Sequence, residues 1–368
     1  MRIIHCADLH LDSKLNANLE GEKRALRKAE LNGSFTRMID YAKEYGIEAI
    51  IIAGDLFDTA NVSVTVRDMV RDSIVNNPDI EFFYLKGNHD VESFLSALEE
   101  LPANLHLFTT EWKSYELRDG VVITGAELEA SNSITLYDNL LLDVDKLNIV
   151  TLHGQEVGYT SRKRNTAENI DISRLTGKCI DYLALGHIHS YRLRSLDKRG
   201  MYCYCGCIEG RGFDECGDHG FVLLEIDEAT KKIEPVFIPF AKRKIYELVM
   251  DVSGADGTMK AADMISDMLD GMGIAPTSLI KLVLIGNVDV SVELSTSMIT
   301  ERFSDKYFYV TTEDKTKTFV DYDEYKLESS LKGEFVRLIY DDDSLDEDMK
   351  SEIIRCGIRA LSGEEQLV

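Results

Sequence analysis

The first half of the chain alternates short apolar runs with stretches of helical spacing. RIIHCA (2–7), EAIIIAG (48–54) and EFFYLKG (81–87) read as strands. Between and after them, GEKRALRKAELNGSFTRMIDYAKEYG (21–46), SVTVRDMVRDSIVNN (63–77) and VESFLSALEEL (91–101) carry the spacing of amphipathic helices. Strands that alternate with helices predict an α/β sheet. GVVITGAEL (120–128), LNIVTLHG (147–154), CIDYLALGHIH (179–189), GMYCYCGC (200–207) and HGFVLLEID (219–227) follow with shorter connections and predict a second sheet packed on the first. The pattern changes near FIPFAKRK (237–244). Beyond it, IYELVMDVS, a helical MKAADMISDMLDGMG and a strand SLIKLVLIG predict a smaller α+β module. An acidic run, DDDSLDED (341–348), leads into a last helix, DMKSEIIRCGIRALSG. The expected organisation is a domain over 1–240, an α+β cap over 241–335, and an acidic segment with a C-terminal helix over 336–368.

At 368 residues the chain exceeds one ordinary core, and 44% hydrophobic residues exclude global disorder. The formal net charge of −24 repels anions on average. Contact with nucleic acid must then come from local basic patches or metal ions. Seven cysteines, an odd number, and an N-terminus without an apolar signal region point to a reducing cytoplasm, and no run reaches membrane-spanning length. In YCYCGC (202–207) the CxC alternation puts thiols on one face of a strand, unlike the CxxC spacing of a zinc knuckle.

The ends of the buried strands carry the chemistry. CADLH supplies Asp8 and His10, and AGDLFD supplies Asp55 and Asp58. KGNHD supplies Asn88, His89 and Asp90, TLHG supplies His153, and LGHIH supplies His187 and His189. Open α/β sheets bind ligands beyond the carboxyl ends of their strands, so five such ends would build one pocket. Oxygen and imidazole donors without thiolate suit Mn²⁺, Fe or Zn²⁺. Two such ions about 3.5–4 Å apart clamp a phosphate, with one carboxylate between them. Asp55 is the candidate for that bridge. Gly54, Gly87 and Gly186 would let backbone approach closely there. Singly, each element is ordinary: a histidine at a strand end is usually a satisfied structural residue, and GD and NH are common turn dipeptides. The ordered set DxH, GDxxD, GNHD, HG and GHxH is not something chance supplies.

In this order the motifs resemble those of the calcineurin-like metallophosphoesterases. IIHCADLHLDSKL, GDLFDT and GCIEGRGFDECGDHGFVLLEID are closest to the SbcD/YhaO-type DNA repair exonuclease branch. The resemblance is strong over about 1–240. It implies a two-sheet α/β sandwich flanked by helices and two divalent metal ions, foremost Mn. Asp8, His10 and His189 would hold one ion, Asn88, His153 and His187 the other, with Asp55 shared. His89 would sit beside the scissile phosphate, stabilising charge or protonating the leaving oxygen, and a metal-bound hydroxide would attack. Asp58 stands where some relatives carry His. It is a candidate catalytic group beside His89, an orienting partner for His89 or His10, or the N-cap of the following helix.

The resemblance further implies a DNA exonuclease subunit working with an SbcC-like ATPase docked on the C-terminal part, and no membrane. The alternatives are a small-molecule phosphodiesterase or phosphatase on the same scaffold, and a non-catalytic scaffold subunit. DNA binding would need cations on the rim, for which Arg162, Lys163, Arg164, Lys198, Arg199, Arg211, Lys242, Arg243 and Lys244 are candidates. The competing reading is solvated loops. Val66, Met69, Val70 and Ile74 form a stripe that reads as core or as a homodimer face. The remaining histidines are expected outside the site: His5 in the core, His106 on a strand or its edge, and His219 in a turn, the first candidate among them to approach the pocket.

Overall fold

The structure is a computed structural model that describes residues 1–15, 19–58, 62–90, 101–118, 120–157, 169–289, 292–319 and 329–361. The helix expected over 91–101, except its last residue, and the basic residues Arg162, Lys163 and Arg164 lie outside the described residues. The chain divides into two compact units, Met1–Lys244 and Ile245–Val368.

The first unit holds two six-stranded sheets. In the first, Arg2–Cys6, Ala49–Ala53, Glu81–Leu85 and Leu105–Leu107 run parallel, and Gly220–Asp227 and Lys232–Pro239 add an antiparallel ribbon beside Arg2–Cys6. In the second, Met201–Tyr204, Tyr182–Gly186, Leu147–His153 and Val121–Gly125 run parallel, with antiparallel edges Arg192–Ser195 and Lys113–Arg118.

Strand alternation sorts the cores. Ile50 and Ile52 face helices Ser34–Glu44 and Val64–Val75, packing with Phe35, Met38, Val66 and Val70. Ala49, Ile51 and Ala53 face the second sheet, meeting Ile149, Tyr182, Ala184 and Cys203. Removing one such large side chain costs about 2–5 kcal/mol, because the cavity left behind does not close. The stripe of Val66, Val70 and Ile74, with Met69 packed against it, thus belongs to this core. The tyrosines of YCYC pack outside the second sheet, while Cys203 and Cys205 lie between the sheets. All seven cysteines are free thiols. The helical stretch of 21–46 is two helices, Gly21–Asn32 and Ser34–Glu44, meeting at Gly33.

The second unit has a parallel sheet of Ile245–Asp251, Leu279–Ile285 and Tyr309–Asp314, packed on helices Thr258–Asp270 and Thr296–Ser304. Helices Leu331–Tyr340 and Glu347–Leu361 pack together through Val336, Ile354 and Ile358. The expected boundary at 335/336 therefore falls inside a helix. Among the described residues no helix is long and apolar enough to cross a membrane.

Candidate metal centre

Three parallel strands of the first sheet and two of the second end at one place. Main-chain bonds zip the loops that follow: Asp8 N–H donates to Gly54 O and His10 N–H to Asp55 O, each at 3.0 Å. The turns are tight enough that Asp8, His10, Asp55 and His187 adopt φ of 51°, 45°, 51° and 96°. Non-glycine residues in that region cost on the order of 1–3 kcal/mol each, and such strain gathers at functional sites. A Cβ on Gly54 would lie 2.1 Å from His153 Nδ1, and one on Gly87 would lie 2.2 Å from Asp55 Oδ1. Close approach at these two positions is what admits the side chains.

Two donor groups share Asp8. Donor atoms of Asp8, His10 and His189 lie within 4.8 Å of one another, and so do those of Asp8, Asp55 and His153. In the first group His10 Nε2 and His189 Nε2 are 3.1 Å apart. Behind them, His10 Nδ1 is 3.1 Å from Asp58 Oδ1, and His189 Nδ1 is 2.7 Å from Glu215 Oε1. An ionised carboxylate only accepts, so His189 Nδ1 carries the hydrogen it gives to Glu215. The two Nε2 atoms therefore face each other across the site, an arrangement that lets both ligate one cation.

In the second group His153 Nδ1 donates to Ala53 O at 2.8 Å. Its Nε2 lies 3.0 Å from Asn88 Oδ1 and 3.4 Å from Asp55 Oδ2. The His187 ring meets His153 edge-on at 5.4 Å, and His187 N–H donates to both Asp8 oxygens at 2.9 Å. Asp55 stands between the groups. Its Oδ2 is also 3.8 Å from His10 Nε2, and its Oδ1 accepts from His89 N–H at 2.9 Å.

The electrostatics ask for positive charge. Asp8 and Asp55 are 1% and 2% exposed, and their cationic partners among the described residues are imidazoles. Burial pushes the Asp8 carboxyl above its usual range, against the pull of His153 and His189. Burial acts the same way on Asp55, but the His153 hydrogen bond and charge, with the His89 N–H, hold it down at about 2. Burial works against a charged His153, yet Asp55 and Asp8 push it up to about 9. Hard oxygen and imidazole donors around two buried carboxylates fit a pair of divalent cations.

A family model for the calcineurin-like phosphoesterases matches residues 1–205. The chain belongs to the calcineurin-like phosphoesterase family. Relatives of this phosphoesterase include the uncharacterized metallophosphoesterase YhaO of Bacillus subtilis (strain 168), 29% identical over 61% of this chain and 57% of that one. The SbcD component of the nuclease SbcCD of Escherichia coli (strain K12) is 26% identical over 64% of this chain and 67% of its own. The DNA double-strand break repair protein Mre11 of Methanopyrus kandleri is 25% identical over 62% and 54%. The phosphoesterase thus spans little more than half the length of the YhaO and Mre11 relatives.

The remaining expectations separate. The side chain of Asp58 lies behind His10 and pairs with Arg211 Nη1 at 3.0 Å. The N-cap position of the following helix is Ser63, not Asp58, and its side chain makes no capping bond. His89 is exposed, with Nδ1 3.1 Å from Asp58 O. His5 is in the core, 2.9 Å from Tyr182 O–H, and burial keeps it neutral by lowering it to about 3. His106 lies on its strand and pairs with Glu81 at 2.6 Å. His219 is buried behind Glu215, whose carbonyl lies 2.8 Å from its Nε2.

Most of the expected basic rim is spent internally. Arg199 pairs with Asp181, Arg243 with Glu30, Lys244 with Asp218, and Arg211 with Asp58 and Glu215. Lys198 is exposed, and Lys242 uses its main-chain N–H on Glu209. Sequence reasoning missed Glu215 and gave Asp90 no role of its own. Glu215 backs His189, and Asp90 accepts from the N–H groups of Leu56, Phe57 and Gly87, fixing the GDLFD loop. The only signal for either was its place within a motif segment, GRGFDE for Glu215 and GNHD for Asp90.

Proposed function

We propose that this phosphoesterase hydrolyses phosphodiester bonds with two divalent cations, Mn²⁺ foremost with Fe or Zn²⁺ as alternatives, and that its substrate is DNA. The carrying observation is the pair of donor groups that share Asp8 and flank Asp55. Asp8, His10 and His189 would hold one cation, Asn88, His153 and His187 the other, and Asp55 both. The cations would supply Lewis-acid charge for the phosphoryl oxygens and a more acidic water. Ala53 O fixes His153 so that Nε2 is its ligating nitrogen, Glu215 does the same for His189, and Asp58 lies 3.1 Å behind His10 Nδ1. His89 hands its Nδ1 hydrogen to Asp58 O, so a proton for the leaving oxygen would travel on Nε2.

DNA as substrate is supported by the SbcD and Mre11 relatives. By the same likeness, the working unit is an exonuclease subunit with an SbcC-like ATPase partner. We assign catalysis to Met1–Lys244, a cap to the module that begins at Ile245, and partner docking to the paired helices Leu331–Tyr340 and Glu347–Leu361. The test compares linear DNA, covalently closed circular DNA and bis-p-nitrophenyl phosphate with Mn²⁺. Degradation of linear DNA supports the whole proposal. Hydrolysis of the small diester alone overturns the DNA assignment, and inertness towards all three overturns the activity.

A small phosphoester is the second reading. The net charge of −24 and the paired arginines favour it.

A further inference from the structure

Arg211 reads in the sequence as a rim cation, and the structure puts it to another use. Its side chain is 12% exposed and its guanidinium spans two carboxylates. Nη1 donates to Asp58 Oδ1 at 3.0 Å, while Nη2 and Nε donate to Glu215 Oε1 at 2.8 and 3.1 Å. The Arg211 main-chain N–H donates to Glu215 Oε2 at 2.7 Å. The same two carboxylates back the histidines: Asp58 Oδ1 lies 3.1 Å from His10 Nδ1, and Glu215 Oε1 takes the His189 Nδ1 hydrogen at 2.7 Å. These histidines come from loops 179 residues apart, and their Nε2 atoms face each other at 3.1 Å.

We propose that Arg211 is a positioning residue, which straps Asp58 to Glu215 and so sets His10 and His189 over one cation. This rests on the two-cation reading of the site. The planar, permanently charged fork suits the task, because it holds two carboxylates at a fixed separation and has no acceptor with which to compete for the imidazole hydrogens. Lysine offers a point charge that reaches one carboxylate or the other. Arg211 Nη2 also lies 3.2 Å from His189 Nδ1. The shorter 2.7 Å contact to Glu215, an acceptor only, decides that Nδ1 bears the hydrogen. Outer partners of this kind typically change metal affinity about 10–100-fold when removed.

The test uses the full chain and Mn²⁺ itself as probe. Calorimetric titration and electron paramagnetic resonance would count bound ions in wild type, Arg211→Met, Arg211→Lys and Glu215→Gln. Arg199→Met serves as control, since Arg199 is another paired arginine, bound to Asp181 at the opposite end of the second sheet. Long-range nitrogen–proton spectra of the ion-free protein would read the imidazole tautomers.

Wild type is expected to bind two ions and to show His10 and His189 as Nδ1–H tautomers. Arg211→Met and Glu215→Gln should weaken one ion about 10–100-fold and leave the other near its wild-type affinity. Arg211→Met should also mix the two tautomers, and Arg211→Lys should fall between. The control should keep wild-type affinity for both ions. Wild-type affinity and unmixed tautomers in Arg211→Met would overturn the proposal. An equal loss at both ions that Arg199→Met shares would overturn it too, by making the effect one of general stability. Should Arg211→Met not fold, Glu215→Gln and Arg211→Lys decide by the same criteria. A wild type that takes up no Mn²⁺ would overturn the two-cation reading, and this proposal with it.

Discussion

Cation binding should expel a proton from His153. In the ion-free site both nitrogens of this ring face acceptors, Nδ1 the Ala53 carbonyl at 2.8 Å and Nε2 the Asn88 and Asp55 oxygens at 3.0 and 3.4 Å. That geometry suits an imidazolium, and the nearby carboxylates, outweighing burial, push His153 up to about 9. Ligation needs a bare Nε2, so the proton must leave. At pH 7, two units below that value, each unit weighs 1.36 kcal/mol, so displacement costs about 3 kcal/mol, roughly a hundredfold in apparent affinity. Mn²⁺ titrations from pH 6.5 to 8.5 should show affinity rising about tenfold per unit. Repeating the titration at pH 7 in buffers of different ionisation enthalpy should count at least one proton released. A flat affinity with no proton release would refute the assignment of His153 as a ligand.

The same shift sets the stability of the ion-free protein. Because the folded value lies above the ordinary 6.5, the contribution is fully present below pH 6.5 and is lost as pH rises through about 9. Melting temperature without metal should therefore fall across that window, and saturating Mn²⁺ should flatten the decline. Asp55 is the other half of this ion pair, and its depressed value of about 2 places its loss at acid pH, below 3.8. Gly54→Ala should abolish Mn²⁺ binding and lower the melting temperature, since the added Cβ meets His153 at 2.1 Å at a φ of +92°; unchanged Mn²⁺ titration would contradict this. Arg27→Met should destabilise by about 2–3 kcal/mol, because buried Glu209 loses its 3.1 Å partner while keeping Arg37 at 2.6 Å. In thermal melts this is a drop on the order of 10 °C, and a shift under 2–3 °C by that scale would show the network to be expendable.

The parallel strands and the site at their ends were legible because a strand buried on both faces reads as a continuous apolar run. A carboxylate or histidine at the end of such a run stands out, as Asp55 does after AIIIA. The edge strands Lys113–Arg118, Arg192–Ser195 and Lys232–Pro239 were not legible. Lys113–Arg118 and Arg192–Ser195 are largely exposed and polar, and Lys232–Pro239 carries prolines that an edge tolerates. Glu215 and the role of Asp90 escaped for a different reason. Their roles come from contacts with His189 and Phe57, 26 and 33 residues away, which no local pattern encodes. Arg243 looked like a free cation for DNA until the fold brought Glu30, 213 residues distant, within 2.7 Å. Arg211 likewise looked like rim charge, although its carboxylates lie inside the site.

The most direct test of the central claim is cleavage of end-labelled single- and double-stranded DNA with Mn²⁺ by wild type and by His89→Ala. His89 is exposed and touches the site through its own N–H and Nδ1, so the variant should fold and take up Mn²⁺. Cleavage by wild type that falls by about 10²–10⁴ in the variant is the expected result for loss of a positioned proton carrier. Equal cleavage by both would contradict the role of His89 in this pocket. Intact DNA with both proteins would contradict DNA as the substrate.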